Sequence, residues 1–200
     1  MLCIGQGEMK MKICGLNKTT LLDYPGKVAA TIFLGGCNFR CPFCHNGDLV
    51  LHSKELPYLE EEEVLSFLEK RKNVLEGVCI TGGEPTLYGE LTELIEKIKR
   101  LGYLVKLDTN GTNPSMVKSL ITKGLIDYVA MDIKAPISKY EKVCGVSCDM
   151  QKIQETVEVL KKEMVNYEFR TTVVKELHTK EDILEIGKWI SGAKSYYLQS

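Results

Sequence analysis

Residues 28–46 read VAATIFLGGCNFRCPFCHN and join an apolar, β-branched run to a loop rich in cysteine and glycine. Residues 28–34 have the composition of a buried strand. Similar runs recur at residues 77–81, 103–108, 128–133, 167–174 and 195–199. Apolar residues at helical spacing fill the segments between them, at 60–71, 90–101, 114–123, 151–163 and 180–190, with a short helix at 138–143. This alternation predicts an α/β fold with a mostly parallel sheet.

Six strand–helix units are fewer than the eight that close a full barrel. We therefore expect a partial (βα)6 barrel that is open on one side. In such folds the chemistry lies at the carboxyl ends of the strands, and residues 35–46, 81–85, 108–111 and 132–136 all follow predicted strands. We expect one domain over residues 1–200, with residues 1–10 as a disordered tail or an upstream start and with a C-terminal segment missing after the last strand.

The bulk composition excludes some classes of partner. Lysine plus arginine (26) nearly balances aspartate plus glutamate (27), so no broad field favours nucleic acid or an anionic membrane. Apolar runs are far shorter than the roughly 20 residues of a membrane helix, and the N-terminus does not resemble a secretory signal. We expect a cytoplasmic protein whose eight cysteines bind metal or stay reduced.

The loop after the first predicted strand contains Cys37, Cys41 and Cys44. Thiolates are the usual ligands of iron–sulfur clusters, and three of them leave one iron of a four-iron cluster open to substrate. A zinc site with His45 or a distant cysteine as fourth ligand is an alternative, although structural zinc sites usually pair two close ligands with two distant ones. Three unligated core cysteines are another, but glycine and proline at this density are not typical of a core strand.

The spacing Cys-x3-Cys-x2-Cys, with Phe43 just before the last cysteine, resembles the signature of the radical S-adenosylmethionine (SAM) superfamily. The resemblance implies that Cys37, Cys41 and Cys44 hold one 4Fe–4S cluster and are the catalytic ligands. It also implies that SAM chelates the fourth iron through its amino and carboxylate groups, with Phe43 near the adenine. The partial barrel is the fold of that superfamily.

Residues 81–85, TGGEP, are similar to the superfamily's GGEP motif, which contacts the SAM amino group. Gly82 and Gly83 would let the backbone approach the ligand closely. Glu84 would accept a charge-assisted hydrogen bond from the ammonium. Taken alone, the two glycines would indicate only a tight turn.

Two further segments, DTNG at 108–111 and MDIK at 131–134, resemble SAM-pocket segments of enzymes that activate glycyl radical enzymes. The resemblance assigns Asp108, Asn110, Asp132 and Lys134 to the pocket, with a monovalent cation near the two aspartates. The alternative is an Asx turn that caps a helix and a solvated lysine. Arg170 resembles a SAM-binding arginine of the same group, with a salt-bridged strand residue as the alternative.

Residues 13–27, ICGLNKTTLLDYPGK, are similar to the anaerobic ribonucleoside-triphosphate reductase activating proteins. The resemblance implies that a reduced cluster cleaves SAM to methionine and a 5′-deoxyadenosyl radical, which takes a hydrogen atom from a backbone glycine of the partner reductase. A flavodoxin or ferredoxin would supply the electron. For the side chains of residues 23–26, a purely structural turn before the strand is the alternative.

Two other functional classes stay open from the sequence. A small-molecule radical SAM enzyme, of the carboxy-deazaguanine synthase or cofactor-maturation kind, would consume a small substrate with no protein acceptor. A non-enzymatic zinc or iron–sulfur module would bind metal without cleaving SAM. The remaining cysteines are expected to be reduced thiols, because two ligands at 144 and 148 are too few for a second cluster; these cysteines are Cys3, Cys14, Cys79, Cys144 and Cys148.

Overall fold

The computed structural model describes residues 10–200, so Cys3 and nearly all of the expected N-terminal tail lie outside the described residues. Seven strands form one sheet in sequence order. They are β1 (Ile13–Thr20), β2 (Ala29–Leu34), β3 (Gly77–Gly82), β4 (Leu104–Thr109), β5 (Tyr128–Asp132), β6 (Asn166–Thr172) and β7 (Tyr196–Gln199). β1 pairs antiparallel with β2, and every later pair is parallel.

Helices connect the parallel strands and cover the sheet. They are α1 (Gly47–Leu51), α2 (Glu61–Lys70), α3 (Leu91–Arg100), α4 (Pro114–Thr122), α5 (Tyr140–Cys144), α6 (Met150–Lys161) and α7 (Lys180–Trp189). Each long helix turns an apolar stripe to the core; in α3 that stripe is Leu91, Leu94, Ile95 and Ile98. The helices lie where a parallel sheet needs cover, because its strands are apolar on the outer face as well. No helix in residues 10–200 is long and apolar enough to cross a membrane.

The predicted α/β class and the open, mostly parallel sheet are confirmed. All six predicted strands are present, with ends that differ by at most two residues. The seventh, β1, was not predicted, because its centre is polar and partly exposed at the sheet edge. Helix α1 was also missed, since five residues are too few to show a helical period.

The amino ends of the strands are closed by the segment that precedes β2. Tyr24 is buried there, with its ring against Gly77 at the start of β3 and 6.0 Å from the ring of Tyr128. The Thr31 hydroxyl donates a hydrogen bond to the Asp23 carboxylate. This end of the sheet is therefore filled by side chains, and open space is left at the opposite, carboxyl end.

Candidate active site

One cavity of about 230 Å³ lies at the carboxyl ends of the strands. Eleven of the twelve site residues predicted from sequence line it: Cys37, Cys41, Phe43, Cys44, Gly82, Gly83, Asp108, Asn110, Asp132, Lys134 and Arg170. Glu84 is the exception. The wall also includes residues outside the predicted set of twelve, namely Phe39, His45, Asn46, Val50, Thr81, Thr109, Thr172 and Gln199.

Side-chain donors that bond backbone carbonyls hold the loop of residues 35–46, here called the cysteine loop, in place. The Arg40 guanidinium donates to the carbonyls of Cys37 and Phe39, both at 2.7 Å. The Tyr88 hydroxyl donates to the Gly35 carbonyl. These donors satisfy carbonyls that a tight loop cannot pair within itself. With these carbonyls bonded, the loop is held in a conformation in which its three cysteines line the cavity.

Gly83 fixes the distance between the cysteine loop and the end of β3. A Cβ at this position would collide with the Gly36 carbonyl, which accepts a hydrogen bond from the Glu84 amide at 2.8 Å. Asn46 adds a second link, since its side-chain amide donates to the Gly82 carbonyl at 2.9 Å. Close backbone approach is thus the physical reason for glycine here.

Burial raises the pKa of the Cys37 and Cys41 thiols to about 11 in each case. Metal ligation requires thiolates, so loading the site would release protons. Within residues 10–200, no group of three His, Cys, Asp or Glu side chains is arranged to hold a single metal ion. The three thiols nevertheless line the same cavity.

Glu84 is fully buried and faces away from the cavity. One carboxylate oxygen accepts from the Thr86 amide at 3.0 Å and from the hydroxyls of Thr86 and Thr109, at 2.6 and 2.8 Å. The other accepts from the Asn110 amide at 2.6 Å. Burial raises its pKa despite these donors. The carboxylate therefore ties β3 to the end of β4, which differs from the direct contact with a ligand ammonium that the sequence led us to expect.

Five side chains of alternating charge, all but the first of which line the cavity, form what we call the charged row: Lys106, Asp108, Arg170, Asp132 and Lys134. The Lys106 ammonium contacts the Asp108 carboxylate, whose other oxygen lies 3.3 Å from Arg170 Nη2. Arg170 also bonds Asp132 through Nε and Nη2, both at 3.0 Å. Lys134 Nζ lies 2.9 Å from the second Asp132 oxygen.

Mutual attraction favours the charged forms of Asp132, Lys134 and Arg170. Burial by itself would raise the pKa of Asp132, but Lys134 and Arg170 lower it to about 2. Burial likewise opposes the charge on Lys134 and Arg170, yet Asp132 raises the pKa of both. The monovalent cation expected near Asp108 and Asp132 stays a prediction, because lysine and arginine groups already contact both carboxylates.

A hydrogen-bonded bridge joins the cysteine loop to the segment after β4. The Asn110 side-chain amide donates to Asn38 Oδ1 at 2.8 Å and approaches Cys37 Sγ at 3.9 Å. Asn38 in turn donates to the Thr112 hydroxyl at 2.9 Å, and that hydroxyl donates to Asn110 Oδ1 at 2.7 Å. Asn38 thus links the cysteine loop to the segment after β4.

Residues 31–190 match the family described as the radical SAM superfamily. The chain belongs to the radical SAM superfamily. Membership implies a 4Fe–4S cluster and SAM as cofactors, as the cysteine spacing predicted.

Curated relatives within this superfamily fall into more than one functional group. A protein of Methanocaldococcus jannaschii, named provisionally as a glycyl-radical enzyme activating enzyme, is 37% identical over 96% of this chain and 80% of its own length. A second such protein from that organism is 28% identical over 88% of this chain and 63% of its own length. A 7-carboxy-7-deazaguanine synthase of Neisseria meningitidis is 33% identical over 68% of this chain and 58% of its own length.

Solved structures support the fold. Native anSMEcpe with bound AdoMet superposes with a TM-score of 0.64 at 22% identity, over 82% of this chain and 49% of that one. TYW1 with a lysine–pyruvate adduct gives a TM-score of 0.59 at 22% identity, over 80% of this chain and 60% of that one. The chain thus spans less than two thirds of either structure, and the similarity concerns the fold alone.

The residues at the cavity fit a radical SAM cofactor set. Three thiols from the cysteine loop would be the ligands of a cluster and would leave one iron without a protein ligand. Gly82 and Gly83 bring backbone to the cavity surface, and the charged row offers both cationic and anionic groups to an amino acid. Ammonium and carboxylate groups of a ligand would therefore each meet an opposite charge.

Three buried residues near the cavity were not indicated by the sequence analysis. His178 accepts from the Val174 amide through Nδ1 and therefore donates through Nε2 to the Lys134 carbonyl, at 2.8 Å. Its ring meets Phe43 edge-on, with 6.3 Å between centroids. Tyr88 supports the cysteine loop, and Lys106 begins the charged row. Lys106 could have been found from the sequence, because it is a charged residue inside an apolar strand and lies two residues before Asp108, on the same face of that strand.

The cysteines outside the cysteine loop are free thiols in residues 10–200. Cys144 and Cys148 lie with their sulfurs 3.9 Å apart beneath the loop. Cys144 also accepts, through its carbonyl, a hydrogen bond from the Arg40 amide at 2.8 Å. Cys79 is buried on β3, and Cys14 lies on β1.

Proposed function

We propose that this chain is a glycyl radical enzyme activating enzyme, with anaerobic ribonucleoside-triphosphate reductase as its partner. One observation carries the chemical part: three thiols of a single loop line the same cavity as four charged side chains, Asp108, Asp132, Lys134 and Arg170. Thiolates suit a cluster, and the row suits the amino acid end of SAM.

A reduced cluster held by this loop would supply the single electron that reductive cleavage of a C–S bond of SAM requires, and a flavodoxin or ferredoxin would replace that electron. The protein contributes position and shielding. Cys37, Cys41 and Cys44 would hold the cluster, while Phe43, Gly82, Gly83 and Asn110 would shape the SAM site. Glu84 would act indirectly, by fixing the segment that carries Asn110.

The choice of partner is supported by two observations on sequence. Residues 21–27, LLDYPGK, are similar to the segment before the first parallel strand in the reductase activating proteins. The relative that matches 96% of the chain carries a provisional name of the same class. We also propose a flavodoxin or ferredoxin as electron donor, and a cytoplasmic location.

A second function is favoured by a specific relative. The N. meningitidis synthase is 33% identical over 136 residues, and its name states that it makes a small molecule, 7-carboxy-7-deazaguanine. In that case the cavity would admit a small substrate beside SAM, and no protein acceptor would be needed.

The test is anaerobic. The protein is reconstituted with iron and sulfide, reduced with dithionite and mixed with SAM, with and without the reductase, and 5′-deoxyadenosine is quantified. We expect deoxyadenosine together with a doublet glycyl radical signal on the reductase, which should be lost with a reductase variant that lacks the acceptor glycine.

Two other outcomes would contradict the proposal in different ways. Deoxyadenosine without a radical on the reductase would favour the small-molecule alternative. An intact cluster that never cleaves SAM would favour a binding module.

A further inference from the structure

Lys106 is an unusual residue for its position. It lies in the middle of β4, between Val105 and Leu107, and its side chain is 2% exposed. A buried ammonium is costly unless a partner compensates the charge. In a parallel strand covered on both faces, an apolar residue would be expected at this position.

The partner of Lys106 is Asp108, two residues along the strand and on the same face. Burial alone would lower the pKa of the ammonium, but Asp108 raises it above the ordinary value. Four members of the charged row line the cavity, and Lys106 does not. Any effect of Lys106 on a bound molecule must therefore pass through the residues it contacts.

We propose that Lys106 is a positioning residue that holds Asp108, and through it Arg170, in the ionised arrangement that receives SAM. The inference rests on the proposed function, in which this cavity binds SAM. Lys106 occupies one oxygen of Asp108 and leaves the other to Arg170, at 3.3 Å. Arg170 is then shared between Asp108 and Asp132.

Removal of the ammonium would leave Asp108 with Arg170 as its one cationic contact in the charged row. Arg170 would be drawn toward Asp108, because that carboxylate would have lost its other cationic contact, while Asp132 keeps Lys134 and Glu168 lies farther from Arg170, at 4.0 Å. The wall that faces SAM would change shape and charge without the loss of any residue that lines it.

A second contact of Lys106 offers a different explanation. Lys106 Nζ also lies 3.8 Å from Cys79 Sγ, so its role could concern that buried thiol. The two explanations differ in a double-mutant cycle, since only the proposed one requires Asp108.

The experiment measures the SAM dissociation constant of the anaerobic, cluster-loaded protein by equilibrium dialysis. The EPR spectrum of the reduced cluster, with and without SAM, gives an independent readout of SAM contact. We expect Lys106→Met to retain iron but to weaken SAM binding on the order of 10- to 100-fold, as substitutions of supporting residues commonly do. The matched control is Lys99→Met, which removes a lysine paired with Asp127 at 2.8 Å near the amino end of β4; it should leave SAM binding unchanged.

The decisive comparison is between D108N and the double variant K106M/D108N. The double variant removes both charges together, so, if K106M alone fails to fold, it avoids an Asp108 carboxylate that has lost one of its two cationic contacts. The proposal requires the two to bind SAM equally within about twofold, the usual limit of additivity errors. A further loss in the double variant would show that Lys106 acts through Cys79 or through packing, and would overturn the proposal.

The wild-type result separates this inference from the function on which it rests. If the cluster-loaded wild type binds no SAM, the proposed function fails. If it binds SAM and K106M binds SAM equally well, the function stands and the positioning role of Lys106 is wrong.

Discussion

The thiol wall of the cavity comes from residues 37–44, whereas the charged wall takes its residues from β4, β5, β6 and the segment after β5. The thiols have few polar partners, and burial holds the pKa of Cys37 and Cys41 at about 11. In the charged row each carboxylate already contacts two cationic side chains. The thiol wall thus lacks polar partners until it binds a cofactor, whereas the carboxylates of the charged wall already have cationic partners within the protein. Substitutions should therefore act on cofactor content in the first and on affinity or stability in the second.

The largest effect is expected at the thiol wall. Cys41→Ala should abolish cluster assembly and SAM cleavage, because two thiolates cannot hold a four-iron cluster. Iron and sulfide content after anaerobic reconstitution, with the visible absorbance, measures the loss. Cys148→Ala is the matched control, since that cysteine is also near the loop but does not line the cavity. Cleavage of SAM by the Cys41 variant would rule out the mechanism.

Glu84→Gln should have a smaller effect, on the link between the walls. The glutamine oxygen can replace the carboxylate oxygen near Thr86, but its NH2 group then faces the Asn110 amide, which is also a donor. A buried donor left without an acceptor costs about 1–3 kcal/mol. For a domain of this size we expect a fall in melting temperature of roughly 2–4 °C per kcal/mol.

Glu141→Gln is the control for the Glu84 variant. Glu141 also accepts from a hydroxyl and a backbone amide, on Ser147 and Cys148, but through a single oxygen that glutamine retains. The residue is exposed, so water can accept from the new NH2 group. Its melting temperature should change little. Equal destabilisation by the two substitutions would show that burial of Glu84 is not the source of the effect.

The sequence was sufficient for the thiol wall because that wall is local. Loop composition, cysteine spacing and the preceding strand all lie within residues 28–46. The strand ends could also be predicted from the sequence, since apolar runs bounded by glycine mark them. Strand β1 was not, because an edge strand with one exposed face has no continuous apolar run.

The residues of the charged wall could be predicted from the sequence only in part. Motifs indicated Asp108, Asp132 and Arg170, but pairing between β4 and β6 residues depends on how three strands are set side by side. No local pattern specifies that Arg170 bridges both aspartates. Glu84 shows a related limit: the motif placed it at the site, yet its orientation depends on donors from the end of β4.

The smallest effect should appear in the acid stability of the charged wall. Asp132 titrates at about 2 in the folded protein, below its ordinary value of 3.8. A depressed folded pKa stabilises the fold above the ordinary value, and this contribution is lost as the pH falls from 3.8 toward 2. The free energy of unfolding of metal-free wild type should therefore exceed that of Asp132→Asn by on the order of 1–2 kcal/mol near neutral pH.

The difference between wild type and Asp132→Asn should close as the pH approaches 2, and urea unfolding at a series of pH values measures it. Cys37→Ala serves as the crossed control, because a thiol that is neutral throughout the acid range contributes no slope there. Its difference from wild type should stay constant while that of Asp132→Asn disappears. A gap between wild type and Asp132→Asn that is independent of pH would mean that packing of Asp132, rather than its pairing with Lys134 and Arg170, stabilises this wall.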